Sequence, residues 1–196
     1  MTAAVGQANP FSNASEYNAW QFVIARALDK VQTVSVVQVK AVNTGAQTVD
    51  VNVLVNLVSG DGLAIPHGVI SARPYYRLQG GTNAIICDPA VGDIGIMVFS
   101  SRDLSGVIAA KGAANPSSAR RFSWADGMYF GGILNATPMQ YIQFMTGGVT
   151  IETPALTISG SATAASLHAN NGWSGTFATG DSRTVTVVNG IITNVA

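Results

Sequence analysis

Charge is what this chain has least of. Aspartate, glutamate, lysine and arginine make up 10% of its 196 residues, against roughly 25% in an average globular protein. Ten basic side chains cancel ten acidic ones. No run of lysine or arginine exists, so the electrostatic footprint of a nucleic-acid binder is missing. The densest basic spot, Arg120-Arg121, reads as a solvated turn or an interface pair. A lone cysteine, Cys87, excludes an intrachain disulfide. Its place in the apolar run Ala84-Ile85-Ile86-Cys87 predicts a buried small hydrophobe rather than a nucleophile. No apolar stretch approaches the ~20 residues of a spanning helix. Met1 to Gln7 carry neither a basic nor an apolar run, so no secretory signal is expected and the product starts in a cytoplasm.

Catalytic signatures are equally scarce. There is no Gly-x-Ser-x-Gly elbow, no His-Glu-x-x-His and no phosphate loop. Asp88 and Asp93 flank a turn, where Asp93 is expected to cap backbone amides. Asp103 beside Arg102 reads as a solvated pair. The chain is therefore read as non-enzymatic, with no catalytic residue and no cofactor. One basic-aromatic cluster stands out: Arg73, Tyr75, Tyr76 and Arg77. It offers a ligand face, but a protein interface is the plainer reading.

The emptiest region is the C-terminal third. From Gly127 to Ala196 the only charged side chains are Glu152, Asp181 and Arg183. Valine, isoleucine, leucine and phenylalanine recur there, which sets it apart from a disordered tail. Val/Ile/Thr alternation with Gly and Asn punctuation predicts short β-strands. Such strands normally defend their edges with charge or proline. A segment without that defence is expected to pair its edges with copies of itself, as an intertwined β-structure in a homo-oligomer.

What is present elsewhere has a clear period. Residues 1–12 read as an arm. Asn13 and Glu16 have the spacing of a capping box. Trp20, Val23, Ile24, Ala27, Leu28 and Val31 follow at helical spacing, predicting one amphipathic helix over about 14–30. The period then becomes two. Val34, Val36 and Val39 alternate, and Val49, Val51, Val53, Val55 and Leu57 form a clean alternating strand with inward valines. Ser59-Gly60-Asp61-Gly62 turns it. Val69-Ile70 runs on into Arg73-Pro74, Ile85-Ile86-Cys87 is a short apolar strand, and Ile94–Phe99 is another. One helix and at least five strands with short turns predict a small Greek-key barrel or sandwich. Residues 111–126 look like a linker. In the tail, Tyr141–Met145 and Val149–Thr153 flank a hairpin break at Thr146-Gly147-Gly148. Leu156-Thr157-Ile158 follows. The end reads as two strands joined at Asn189-Gly190, a strong hairpin signal.

One segment resembles a known family. The run from Ile65-Pro66-His67-Gly68 through Pro89–Phe99 and Arg102-Asp103-Leu104 resembles the N-terminal OB-fold domain of central spike proteins in contractile-tailed bacteriophages. Arg121–Phe130 is similar to the segment that leads from that domain toward the spike shaft. The resemblance implies a mainly β protein: residues 1–30 as arm and helix, 31–110 as an OB-like Greek-key barrel, 111–138 as linker, 139–196 as a β-helical shaft and tip module intertwined in a homotrimer. It also implies a structural virion protein in the tail baseplate, attached to the tail hub and contacting or puncturing the host outer membrane, with no nucleic-acid partner.

The chain departs from the family at the tip. Many members end in a His-x-His pair that holds iron; here the only histidines are His67 and His168. His168 can give one ligand per chain, and a surface or packed histidine is its plainer reading, so no metal is expected. A separate protein could then finish the tip. Two alternatives stay open. One is a baseplate adaptor that attaches another tail protein through the OB domain and the C-terminal module. The other is an OB-type carbohydrate or oligonucleotide binder acting through Arg73, Tyr75 and Tyr76.

Overall fold

The computed structural model describes residues 14–59, 62–166 and 172–195. The protein is mainly β, with antiparallel sheets and one long helix. Two compact units are present, Met1–Thr137 and Pro138–Ala196.

Helix α1 spans Glu16–Leu28. Its N-cap is Ser15, whose Oγ accepts from Asn18 N–H at 3.2 Å. A hydroxyl there satisfies one of the orphan amides of the first turn. The capping box expected from Asn13 is thus corrected to a Ser15 cap, and Asn13 lies outside the described residues. Glu16 in the first turn and Arg26 in the last both complement the helix dipole. The expected apolar stripe is there but uncovered. Trp20 is 66% exposed and Leu28 63%, and no residue of the helix is buried.

The first unit is built on strands β1 (Val34–Asn43), β2 (Thr48–Val53), β3 (Leu57–Val58), β4 (Ala64–Ile65), β5 (Val69–Pro74), β6 (Leu78–Gly80), β7 (Asn83–Ile85), β8 (Ile94–Phe99) and β9 (Gly127–Phe130). A short helix, α2 (Ser105–Ala110), and a 3-10 turn, Trp124–Asp126, lie between β8 and β9. Five strands form one antiparallel sheet in the order β5-β2-β1-β8-β9. Its two outer strands approach each other: Tyr75 and Tyr129 form a parallel bridge, and Tyr76 N–H donates to the Tyr129 carbonyl at 2.9 Å. β3–β4 and β6–β7 are separate two-stranded hairpins.

Alternation fills the core. Val49, Val51 and Val53 of β2 and Gly95, Met97 and Phe99 of β8 point inward while their neighbours do not. Val37, Val39, Tyr75 and Tyr129 join them. Each buried valine contributes about 1.5–3 kcal/mol relative to exposure. In β1 the inward residues are Val37 and Val39; Val36 is half-buried and Val34 is 54% exposed, so the expected register is corrected there. Directly paired residues share a face, and Val37 pairs with Val53 and Val39 with Val51. β2 ends at Val53, one residue before its last bond to β1, where Leu54 N–H donates to the Val36 carbonyl. Val55 and Leu57 are therefore outside the core, 66% and 57% exposed.

Other expectations also move. Ile85 and Ile86 are exposed, and so is Cys87, because the β6–β7 hairpin pairs only with itself. The segment read as linker supplies β9, the fifth strand of the sheet. Gly127 explains how it fits: a Cβ there would lie 2.5 Å from Met97 Sδ.

The second unit holds a hairpin of β10 (Tyr141–Met145) and β11 (Gly148–Glu152), then an antiparallel sheet of β12 (Gly175–Ala178), β13 (Thr184–Val188) and β14 (Ile191–Val195). Asn189 (φ 50°) and Gly190 (φ 76°) make the expected turn, with both residues in the left-handed region that two-residue hairpins favour. A third strand, β12, comes from a second turn closed by Thr179 N–H donating to the Arg183 carbonyl. Leu156–Ile158 forms no strand. Val185 is the only buried hydrophobic among the described residues of this unit.

Candidate interaction surfaces and the first-unit pockets

The expected basic-aromatic cluster is divided by the fold. The Arg73 guanidinium donates to the Ala125 carbonyl. Tyr76 stacks on Phe130 with ring centroids 5.3 Å apart. Tyr75 and Arg77 instead converge on Asp88. Tyr75 Oη donates to Asp88 Oδ1 at 2.7 Å, Arg77 Nε to the same oxygen at 2.7 Å, and Arg77 Nη2 to Oδ2 at 2.9 Å. The Tyr75 hydrogen bond, then Arg77, holds the Asp88 carboxyl below its ordinary range. Burial, followed by that carboxylate, pushes the Tyr75 phenol up. The bidentate pairing leaves this group of charges locally balanced. Asp93 caps its turn as expected, Oδ2 accepting from Ala90 N–H at 2.8 Å.

These residues border a pocket of about 320 Å³ whose floor includes Tyr129. Tyr129 is 1% exposed, and its hydroxyl has no hydrogen-bond partner among the described residues. Burial, aided by the Asp93 carboxylate, pushes that phenol up to about 12. A hydroxyl sealed from both water and protein costs free energy.

A second polar cluster escapes the sequence altogether. Asp103 and Asp126, both buried, share Arg120. Arg120 Nη2 donates to Asp103 Oδ1 at 2.8 Å and Nε to Asp126 Oδ2 at 3.2 Å. Asp103 also accepts from Ser105 Oγ and Ser118 Oγ, each at 2.6 Å, and from Ser105 N–H. The Ser105 hydroxyl, then Ser118, is the main cause that holds its carboxyl well below the usual range. Asp103 is therefore not a solvated partner of Arg102, and Arg120 is not a free surface charge. Together they tie the segment before β9 to the end of β8.

Arg121 makes no ion pair among the described residues and stands on the wall of a larger cleft of about 650 Å³. The cleft lies between the C-terminal end of α1, the start of the β3–β4 hairpin and the Phe122–Trp124 segment. His67 packs on Trp124 there, ring centroids 4.9 Å apart. The chain after α1 is fastened at its edge by Gln32 N–H donating to the Phe122 carbonyl at 3.1 Å. Val55 and Leu57 line the cleft, and Ile65, paired with Leu57, stands 46% exposed beside it.

Exposed apolar side chains are the commonest feature of both units. On β10 and β11, Phe144 is 81% exposed and Ile142 59%, with Val149 and Ile151 also open. Among the described residues no group of three His, Cys, Asp or Glu is placed to hold a metal ion. His168 lies outside the described residues. Neither a protein-family model nor a curated protein matches the chain.

Proposed function

We propose that the chain is a structural virion protein, the homotrimeric central spike of a contractile-tail baseplate, which attaches to the tail hub and contacts or punctures the host outer membrane. The observation that carries this reading is the β10–β11 hairpin. Two strands with Ile142, Phe144 and Ile151 open to water are marginal alone, because an independent sheet needs a third strand or a covered face. Their sequence carries one charge, Glu152, so neither edge is blocked. Winding around two other copies covers the apolar face and pairs the edges together. Force along such a shaft loads many ladder hydrogen bonds at once.

The first unit supports the same reading. A five-stranded antiparallel sheet whose outer strands meet at a parallel bridge is compatible with a partly open Greek-key barrel of the OB type. A rigid barrel of that kind suits attachment to a hub. One observation favours the adaptor alternative: β12–β14 make a self-contained three-stranded sheet with its own tight turns and one buried valine. That module could hold another tail protein off the axis. Truncation after Thr137 separates the readings. A spike trimerises much more weakly without its shaft, and a labelled antibody against residues 138–196 of the full chain decorates the tail tip. An unchanged trimer with label away from the axis would exclude the spike.

A further inference from the structure

Among the described residues, two surfaces of the first unit stay open and complement each other. One is the stripe of α1, with Trp20, Val23, Ile24 and Leu28 each more than half exposed. The other is the cleft of about 650 Å³, with Val55 and Leu57 on one wall and Trp124 on another. We infer that α1 of one copy seats its apolar face in this cleft of the next copy, and that repetition of the contact closes the ring of three. The inference rests on the trimer reading above and names the contact that holds the first units together.

Three features select a second copy as occupant. The helix does not fill its own cleft: no α1 residue is buried, and none of Glu16–Leu28 lines the cleft, which begins at Asp29 and Lys30 after the helix. The charges also match. Glu16 opens α1 without an ion-pair partner among the described residues, while Lys30 and Arg121 at the cleft also lack one. Asp29 also lines the cleft but is paired with Arg26 at 3.6 Å, so an acid on the helix and two bases at the cleft attract copy to copy. A membrane surface fits poorly. The polar side of α1 holds Asn18, Gln21 and Arg26, followed by Asp29 at the C-cap, not the excess of bases that interfacial helices carry. A knob and a hole on different faces of one chain make a head-to-tail contact, which closes into a ring when the rotation permits.

The test uses the full chain with Cys87→Ser, so that no native thiol interferes. Chains carrying only Val23→Cys are mixed with chains carrying only Leu57→Cys, unfolded, refolded together and oxidised. The expected product is a covalent dimer of the two different chains, absent when Val91→Cys replaces Leu57→Cys. Charge reversal supplies a second reading that needs no thiol. Glu16→Arg or Arg121→Glu alone weakens association by roughly two- to fivefold, and the two together restore it. Light scattering on the same samples separates failures. A trimer without the mixed crosslink, or one in which Val23→Cys chains crosslink with themselves instead, overturns this contact and leaves the spike reading standing. A monomer overturns both.

Discussion

Gly95 is the second residue of β8, opposite Val37 of β1, and β8 lies between β1 and β9 in the sheet. Replacing it with alanine places a methyl group 2.4 Å from the Phe130 carbonyl oxygen and 2.7 Å from two ring carbons of Tyr129. Ordinary contact would need about 1 Å more. A side chain could swing away, but Phe130 O belongs to the backbone of the neighbouring strand, so β9 must shift as a whole. Overpacking costs about 1–3 kcal/mol, and a backbone obstacle puts this case at the upper end. Losing a flexible glycine returns about 0.5–1 kcal/mol. The net loss is about 2 kcal/mol. For a unit of this size that lowers the midpoint by roughly 6–10 °C. The assay is thermal unfolding of the full chain followed by near-ultraviolet circular dichroism. Gly68→Ala is the control, since nothing lies within 4 Å of a Cβ there. Gly95→Ala melting with Gly68→Ala would refute the packing of β9 on β8.

Three other perturbations follow from the same unit. Ala72 holds φ 56° while its N–H donates to Asp50 Oδ1 at 2.7 Å; Ala72→Gly relieves a strain of about 1–2 kcal/mol at an entropic cost of about 0.5–1, so a higher urea midpoint is expected and a lower one contradicts the left-handed backbone at this position. Tyr129→Phe removes the buried hydroxyl that has no partner among the described residues; stability should rise by about 1 kcal/mol, and a fall would mean the hydroxyl has one. Asp103 carries a depressed folded pKa, so its contribution is complete above the unfolded value near ~4 and is lost as pH falls toward the folded value. Acid titration of stability should be steep below about pH 4 in the natural chain and shallower in Asp103→Asn; parallel curves would remove Asp103 from the acid response.

Local pattern made some elements readable and long-range pairing hid others. β2 was legible because valine alternates with polar residues, β8 because it is a short apolar run next to a turn, and the Asn189-Gly190 turn because few residues accept two positive φ angles in succession. β1 was misregistered because Val34, Val36, Val37 and Val39 present valine on both faces, so only pairing with Val51 and Val53 decides which pair turns inward. β9 was hidden in an apparent linker: Gly-Met-Tyr-Phe is too short to show a period, and its place depends on Gly127 clearing Met97. The Asp103–Arg120–Asp126 cluster had no local signal, since Arg120 stands seventeen residues from Asp103. Two small cues were present in hindsight: serines at 105 and 118, both able to donate to a buried carboxylate, and acids in an otherwise charge-poor chain. Cys87 was misjudged because an apolar run means burial only when a second layer covers it. The uncovered stripe of α1 was legible as a stripe, but not as a surface left open.

The most direct test of an intertwined trimer is the mass of the full chain in solution, measured by light scattering with the exposed Cys87 kept reduced. A stable species at three times 20.2 kDa, unchanged on dilution, is the expected result. A clean monomer at 20.2 kDa would contradict it, because the β10–β11 hairpin would then have to stand with its apolar face in water.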